Sequence, residues 1–151
     1  MSSPVAKIKK ILFAVIARTA IAIYSRVPLF GYLPASLAVL RKGELILVID
    51  RNDGRGFSFP GGLAHRRENA EDAMRREVRE ETGLQVEKSR LLFQYRTSAD
   101  VPCDVTVFEV EASGTLCESW EGTPRWLSTA EIRPRLLASQ RDVIDRIYPT
   151  S

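Results

Sequence analysis

The sequence predicts an α/β domain, an α/β/α sandwich around a mixed β-sheet, with a helical extension before it. Three observations carry this expectation. Short β-rich apolar runs recur at residues 36–40, 44–50, 91–96 and 105–111. A well-punctuated helical pattern over residues 70–82 interrupts them, and another closes the chain at about 136–147, so strands and helices must layer on one another. At 151 residues, 44% hydrophobic and 27% charged, the chain has an ordinary globular composition and enough length for one buried core.

The extension comes first. Residues 1–43 contain Lys7, Lys9, Lys10, Arg18, Arg26, Arg41 and Lys42 and no acid, whereas the rest holds 15 basic and 19 acidic residues, a net of −4. The overall +3 therefore belongs to the N-terminal segment, and nucleic-acid binding by the domain is not expected. The apolar run 11–24 contains Arg18, too short and too polar for a membrane span and unlike a secretory signal. As a helix it sets Lys7, Lys10, Arg18 and Ser25 on one side and Ile8, Ile11, Leu12, Val15 and Ile23 on another. That pattern suits a membrane surface contacted through residues 1–26, a homodimer interface, or packing on the domain; the last two are favoured. Pro28, Gly31 and Pro34 then break the chain, dividing it into an extension, 1–34, and a domain, 35–151.

Within the domain, residues 36–40 and 44–50 predict a hairpin around Arg41-Lys42-Gly43. A polar loop, 51–56, and a short strand, 57–59, lead to the Pro60-Gly61-Gly62 turn. Asn69 is a good N-cap for the helix 70–82, Asp72 suits its positive end, and Gly83 is a C-terminal stop. Ala73, Met74 and Val78 give this helix an apolar side. Strands follow at 91–96 and 105–111, then a short one at Trp126-Leu127. Ser128 with Glu131 three residues on predicts a capping box, before the final helix.

The chemistry concentrates in GLAHRRENAEDAMRREVREETGL, residues 62–84. Glu77, Glu80 and Glu81 stand at i, i+3 and i+4, which stacks three carboxylates on one helical face. Alone, that spacing also describes a solvated acidic face. Carboxylates so crowded repel one another unless a cation sits among them, and a hard cation such as Mg²⁺ takes oxygen ligands and substrate phosphates. Cys103 and Cys117 are too few for a disulfide framework or a zinc site, which fits reduced thiols and a cytoplasmic protein. The lone histidine, His65, suits neither a multi-histidine metal site nor a nucleophilic triad.

This stretch resembles the Nudix box, the loop-helix signature of Nudix hydrolases, and fills its defined positions with Gly62, Glu68, Arg76, Glu77, Val78, Glu80, Glu81, Gly83 and Leu84. The resemblance extends more loosely over residues 36–148 and implies the Nudix-type sandwich. It implies hydrolysis of a nucleoside diphosphate linked to another moiety, with Mg²⁺ or Mn²⁺. Glu77, Glu80 and Glu81, with the Gly61 carbonyl, are then the implied metal ligands; Arg76 orients the glutamates and Glu68 ties loop to helix. The proton acceptor is either a box glutamate or an acid of a later loop, Glu118 or Glu121, of which Glu121 is preferred. Where the family often has an acid, a proline and a glycine before the first box glutamate, this chain has His65, Arg66 and Arg67. They are the candidate substrate-binding residues.

No accessory motif marks coenzyme A, NADH or dinucleoside polyphosphate substrates, and Pro102 lies too far from Gly83 for the ADP-ribose pattern. A small nucleoside triphosphate suits the compact domain, with Tyr95, Trp120 and Trp126 available for stacking. The alternatives are ADP-ribose or a nucleotide sugar, and a Nudix-fold module that binds a nucleotide without cleaving it; intact box glutamates favour an enzyme. The expected location is cytoplasmic, peripheral to a membrane if the extension binds one.

Overall fold

A computed structural model describes residues 31–149 together with Ile8, Leu12, Val15 and Ile16. Those four are helical and exposed, and the rest of the predicted N-terminal helix lies outside the described residues. Among the described residues no helix is long and apolar enough to cross a membrane.

The domain has two four-stranded sheets. Strand β1 (Leu33–Val39) runs parallel to β7 (Cys103–Ser113) and antiparallel to β5 (Gly61–Leu63), while β6 (Gln85–Thr97) pairs antiparallel with β7. The order β5-β1-β7-β6 makes this sheet mixed, as predicted. In the second sheet β3 (Leu45–Arg51) is flanked by β2 (Arg41–Lys42), β4 (Phe57–Ser58) and β8 (Gly122–Leu127), all antiparallel. The predicted hairpin is therefore divided. Its turn joins β2 to β3, but β1 leaves it at Leu40 for the other sheet. Strand β1 also begins at Leu33, so Pro34 lies inside a strand rather than ending the predicted break.

Continuous apolar runs such as Ile46 to Ile49 are explained by burial on both faces. Leu37 and Val39 of β1 join Ile46 and Val48 of β3 in one core, under Ile132, Leu136, Val143 and Ile144. The alternate residues Ala38, Leu40 and Leu47 face the other way, against Met74 and Val78. These last two belong to α1 (Ala70–Thr82), the helix predicted over the same residues. Burying each such side chain stabilises the fold by about 1.5–3 kcal/mol, so a single helix face anchors the acidic stretch to the sheets.

The remaining elements differ in extent from the sequence expectation, for local reasons. Strands β6 and β7 outrun their apolar centres because cross-strand pairs Lys88–Glu111, Arg90–Glu109 and Arg96–Asp104 match charge in register. Strand β8 is longer than Trp126-Leu127 despite Pro124, since it pairs only with β3 and an edge tolerates a missing N–H. The capping box at Ser128 and Glu131 forms, opening the short α2 (Thr129–Ile132). The final helix, predicted from 136, is α3 (Arg141–Ile147). The Leu137 N–H is spent on the Phe57 carbonyl at 3.0 Å, which keeps Leu136 and Leu137 extended along β4.

Candidate active site

Helix α1 is fixed at both ends. The Asn69 side chain accepts the Asp72 N–H at 2.8 Å, and Ser36 Oγ donates to the Ala70 carbonyl at 2.7 Å, tying the helix start to β1. At the other end Gly83 adopts φ 77°, and its N–H closes on the Arg79 carbonyl at 3.0 Å. A left-handed residue there favours glycine.

On the acidic side one arginine organises the carboxylates. Arg76 meets both oxygens of Glu68 at 2.9 Å, Glu77 at 2.6 Å, Glu80 at 3.3 Å and the Leu63 carbonyl at 3.1 Å. The planar guanidinium can serve several partners at once because its donors are held in a rigid fork. Arg76 holds the Glu68 carboxyl down to about 2, helped by the His65 N–H, which Glu68 accepts at 2.8 Å. Burial raises Glu77 above the ordinary carboxylate range; Arg76 opposes that, and Glu121 and Glu80 add to it.

Glu81 is the exception on the helix. It is 3% exposed, not on an open face as the helical spacing suggested, while Glu80 remains exposed. Its carboxylate accepts the Gly61 N–H at 2.8 Å. Burial pushes its proton affinity well up, the Gly61 bond opposes this, and the charges of Glu121 and Glu77 push it further. The Glu121 side chain lies close enough to Glu81 for the two carboxyl groups to favour sharing a proton. The late-loop acid thus meets the helix acids in one cavity of about 230 Å³, bordered by His65, Arg76, Glu77, Glu80, Ser119 and Trp120.

Behind strand β5 lies a second cavity of about 240 Å³ and different character. Its apolar wall includes Leu37, Tyr95, Val101, Val105 and Leu137; Arg51, Arg55, Asp100, Ser139 and Gln140 supply polar groups. Gly61 and Gly62 line it too, and they divide it from the acids. A Cβ on Gly62 would stand 2.7 Å from Glu77 Oε1, so glycine here lets the carboxylate lie against the backbone.

The NUDIX domain family model matches residues 31–147. The chain belongs to that family. The chain is also 43% identical over 58 residues to YtkD of Bacillus subtilis, a protein provisionally named an 8-oxo-dGTP diphosphatase. That match spans 38% of this chain and only 36% of YtkD. Among solved structures, a MutT Nudix hydrolase from Burkholderia pseudomallei superimposes with a TM-score of 0.70 at 20% identity, over 78% of this chain and 98% of that one. The MutT protein of Methanosarcina mazei Go1 gives 0.66 at 24% identity, over 77% and 92%. At such identities the likeness shows a shared fold.

Nudix hydrolases generally act with divalent cations, and the donor set tests whether this chain fits one. The acids offer only oxygen, the preference of Mg²⁺ and Mn²⁺. Glu77 and Glu81 carry raised proton affinities in a shared acidic cavity, an imbalance that a cation relieves. Among the described residues no three acidic, histidine or cysteine side chains form a ready cage, because Arg76 engages Glu77 and Glu80 while Gly61 holds Glu81. Mg²⁺ does not need one, since it retains waters and binds one or two carboxylates plus substrate phosphates. The residues fit such an ion.

The structure thus brings together Glu68, Arg76, Glu77, Glu80, Glu81 and Glu121, with His65 at the cavity edge. Arg66 and Arg67 lie on the exposed part of the loop and line neither cavity. Glu118 is exposed and bonded to Thr123. Of the three aromatics, Tyr95 lines the apolar cavity, Trp120 borders the acids at 57% exposure, and Trp126 packs beside the core under α1. Sequence reasoning missed Arg51, Asp53 and Gln140. The one signal for Arg51 was a cation ending an apolar strand just ahead of the Pro60-Gly61-Gly62 turn.

Proposed function

We propose that this Nudix hydrolase cleaves a nucleoside 5′-triphosphate, adding water to release a nucleoside monophosphate and pyrophosphate. Mg²⁺ or Mn²⁺ would be held by Glu77, Glu80 and Glu81 with the Gly61 carbonyl. The carrying observation is the adjacency of two unlike cavities, one apolar and one acidic: Gly61 and Gly62 line the first and lie against Glu81 and Glu77 of the second. A nucleoside is a flat apolar body with polar edges, suited to the former; its phosphates then point toward the latter. Gln140 supplies an edge contact. Its Oε1 accepts the Phe59 N–H at 2.7 Å, which leaves the amide NH₂ as the donor for an acceptor on the base.

A bound cation supplies charge neutralisation at the phosphates and makes a nearby water a better nucleophile. The chain's own residues do the positioning. Arg76, braced by Glu68, fixes Glu77 and Glu80. Glu81 is pinned by Gly61 and paired with Glu121, so the two together can take the proton lost by the attacking water. His65 at the cavity edge is placed to meet the outer phosphates, with Arg66 and Arg67 on the adjoining loop.

The test is a panel incubated with the full chain and Mg²⁺, products resolved: the common deoxynucleoside triphosphates, 8-oxo-dGTP, ADP-ribose and a nucleotide sugar. The likeness to YtkD puts 8-oxo-dGTP first. Monophosphate and pyrophosphate from a triphosphate are expected. Turnover confined to ADP-ribose or the nucleotide sugar, whose second moiety would lie against Trp120, would replace this reading.

A further inference from the structure

Ile8, Leu12 and Ile16 are helical and 63%, 58% and 57% exposed. A step of four residues on a helix turns by only about 40°, so the three side chains form one ridge. Val15, 56% exposed, falls in the same arc. Elsewhere Leu45, Leu63 and Leu91 are exposed one to a strand. Single exposed leucines are ordinary on a protein surface, whereas an aligned apolar stripe marks a contact surface.

Charge identifies what covers it. Lys7, Lys9, Lys10, Arg18 and Arg26 precede the domain in the sequence, with no acid among them. Packing on this chain's own domain would bury the ridge, and the domain's acids are largely spent on its own cations. Glu71, Asp104, Glu109 and Glu111 already pair with Arg75, Arg96, Arg90 and Lys88. A second copy of the ridge would set two cationic segments against each other with no acid to relieve them. Nucleic acid would meet the cations but leave the apolar side chains in water. A bilayer surface carrying anionic lipid satisfies both, because its acyl boundary takes the ridge and its headgroups take the cations.

We propose that the ridge of Ile8, Leu12 and Ile16 docks on an anionic bilayer surface and tethers the domain there. Beyond residue 43 the chain carries a net of −4, so the domain adds no attraction of its own. The N-terminal segment alone decides attachment. The proposal stands apart from the nucleotide reading, since no residue of either cavity takes part in it.

Flotation of the full chain with lipid vesicles tests this, using phosphatidylcholine alone and an equal mixture with phosphatidylglycerol. Wild type should bind the mixed vesicles about 100-fold more tightly than the neutral ones. Raising salt from about 0.1 M to about 1 M shortens the screening length from about 10 Å to about 3 Å and should release most of the bound chain. The ridge variant, Ile8→Ser with Leu12→Ser and Ile16→Ser, keeps every charge and should bind mixed vesicles about 10–100-fold more weakly. The charge variant, Lys7→Gln with Lys9→Gln and Lys10→Gln, keeps the ridge and should lose most of the preference for anionic lipid. Wild type binding neither vesicle, or both equally, overturns the proposal. So does a ridge variant that binds as well as wild type. Without vesicle binding, a wild-type dimer split by the ridge substitutions identifies a second copy as the occupant. A lowered melting temperature in that variant identifies the domain instead, and either result overturns lipid docking.

Discussion

Gly61 and Gly62 line the apolar cavity and lie against Glu81 and Glu77 of the acidic one, yet the two cavities are held together differently. Five of the six acidic-cluster residues, Glu68 to Glu81, come from one loop and helix, and Arg76 braces them from within. The apolar cavity draws on β1, the loop after β3, β6, β7 and the turn before α3. On the proposed reading, chemistry would be encoded locally and recognition distributed over the chain. One consequence is that the two can be damaged separately.

The largest effect should come from the local half. Glu81→Gln keeps an oxygen for the Gly61 N–H but removes the charge, and turnover should fall about 10²–10⁴-fold with little loss of fold. Turnover within threefold of wild type, measured at saturating nucleotide, would detach the helix acids from catalysis. Gly62→Ala is milder. Its Cβ would displace the flexible end of Glu77, so kcat should drop roughly tenfold while the melting temperature changes little. A large stability loss with normal kcat would mean that Gly62 serves the fold instead.

The distributed half is probed by Gln140→Glu, which preserves an acceptor for the Phe59 N–H and replaces the amide donors. KM should rise about tenfold with kcat nearly unchanged, because only uniform binding is lost. An equal fall in kcat would erase the division between the two cavities.

The smallest effect is on stability. Folding raises the proton affinity of Glu81 above its unfolded value, through burial and then the charges of Glu121 and Glu77. Its contribution is therefore complete below the unfolded carboxyl pKa, about 4.3, and is lost as pH rises through the higher folded value. Metal-free wild type should melt lower at pH 8 than at pH 5, and Glu81→Gln should flatten that slope. Identical slopes in the two proteins would remove Glu81 as the cause.

This division also explains what the sequence made legible. Helix α1 could be bounded to the residue, since Asn69, Gly83 and the 3.6-residue period of Ala73, Met74 and Val78 all act within one short stretch. The Arg76 fork needed the family resemblance to be anticipated. Glu121 could be named only as one loop acid among two. Its approach to Glu81 depends on the register of β8 against β3, which Gly122 and Pro124 disguise as a loop. Tyr95 could be named only as one stacking candidate among three, and Val101 and Leu137 not at all, because nothing local distinguishes a cavity wall from a packed interior. Gln140 was assigned to a helix interior; the contact that straightens the chain before it, Leu137 to Phe57, spans eighty residues.

The parallel pairing of β1 with β7 sets an order on biosynthesis. Leu33 must wait for Cys103, about seventy residues later, before its strand has that neighbour, and long-range closure of this kind is slow. A nascent chain emerging from the ribosome will expose the whole acidic helix before the β1–β7 pairing beneath it can form. The Glu81–Glu121 pair comes later still, once β8 has been made and docked on β3. Truncation by a premature stop near residue 100 would yield a polypeptide carrying every residue of the signature without β7 or β8, with Met74 and Val78 deprived of Phe108 and Val110 and open to chaperones and proteases.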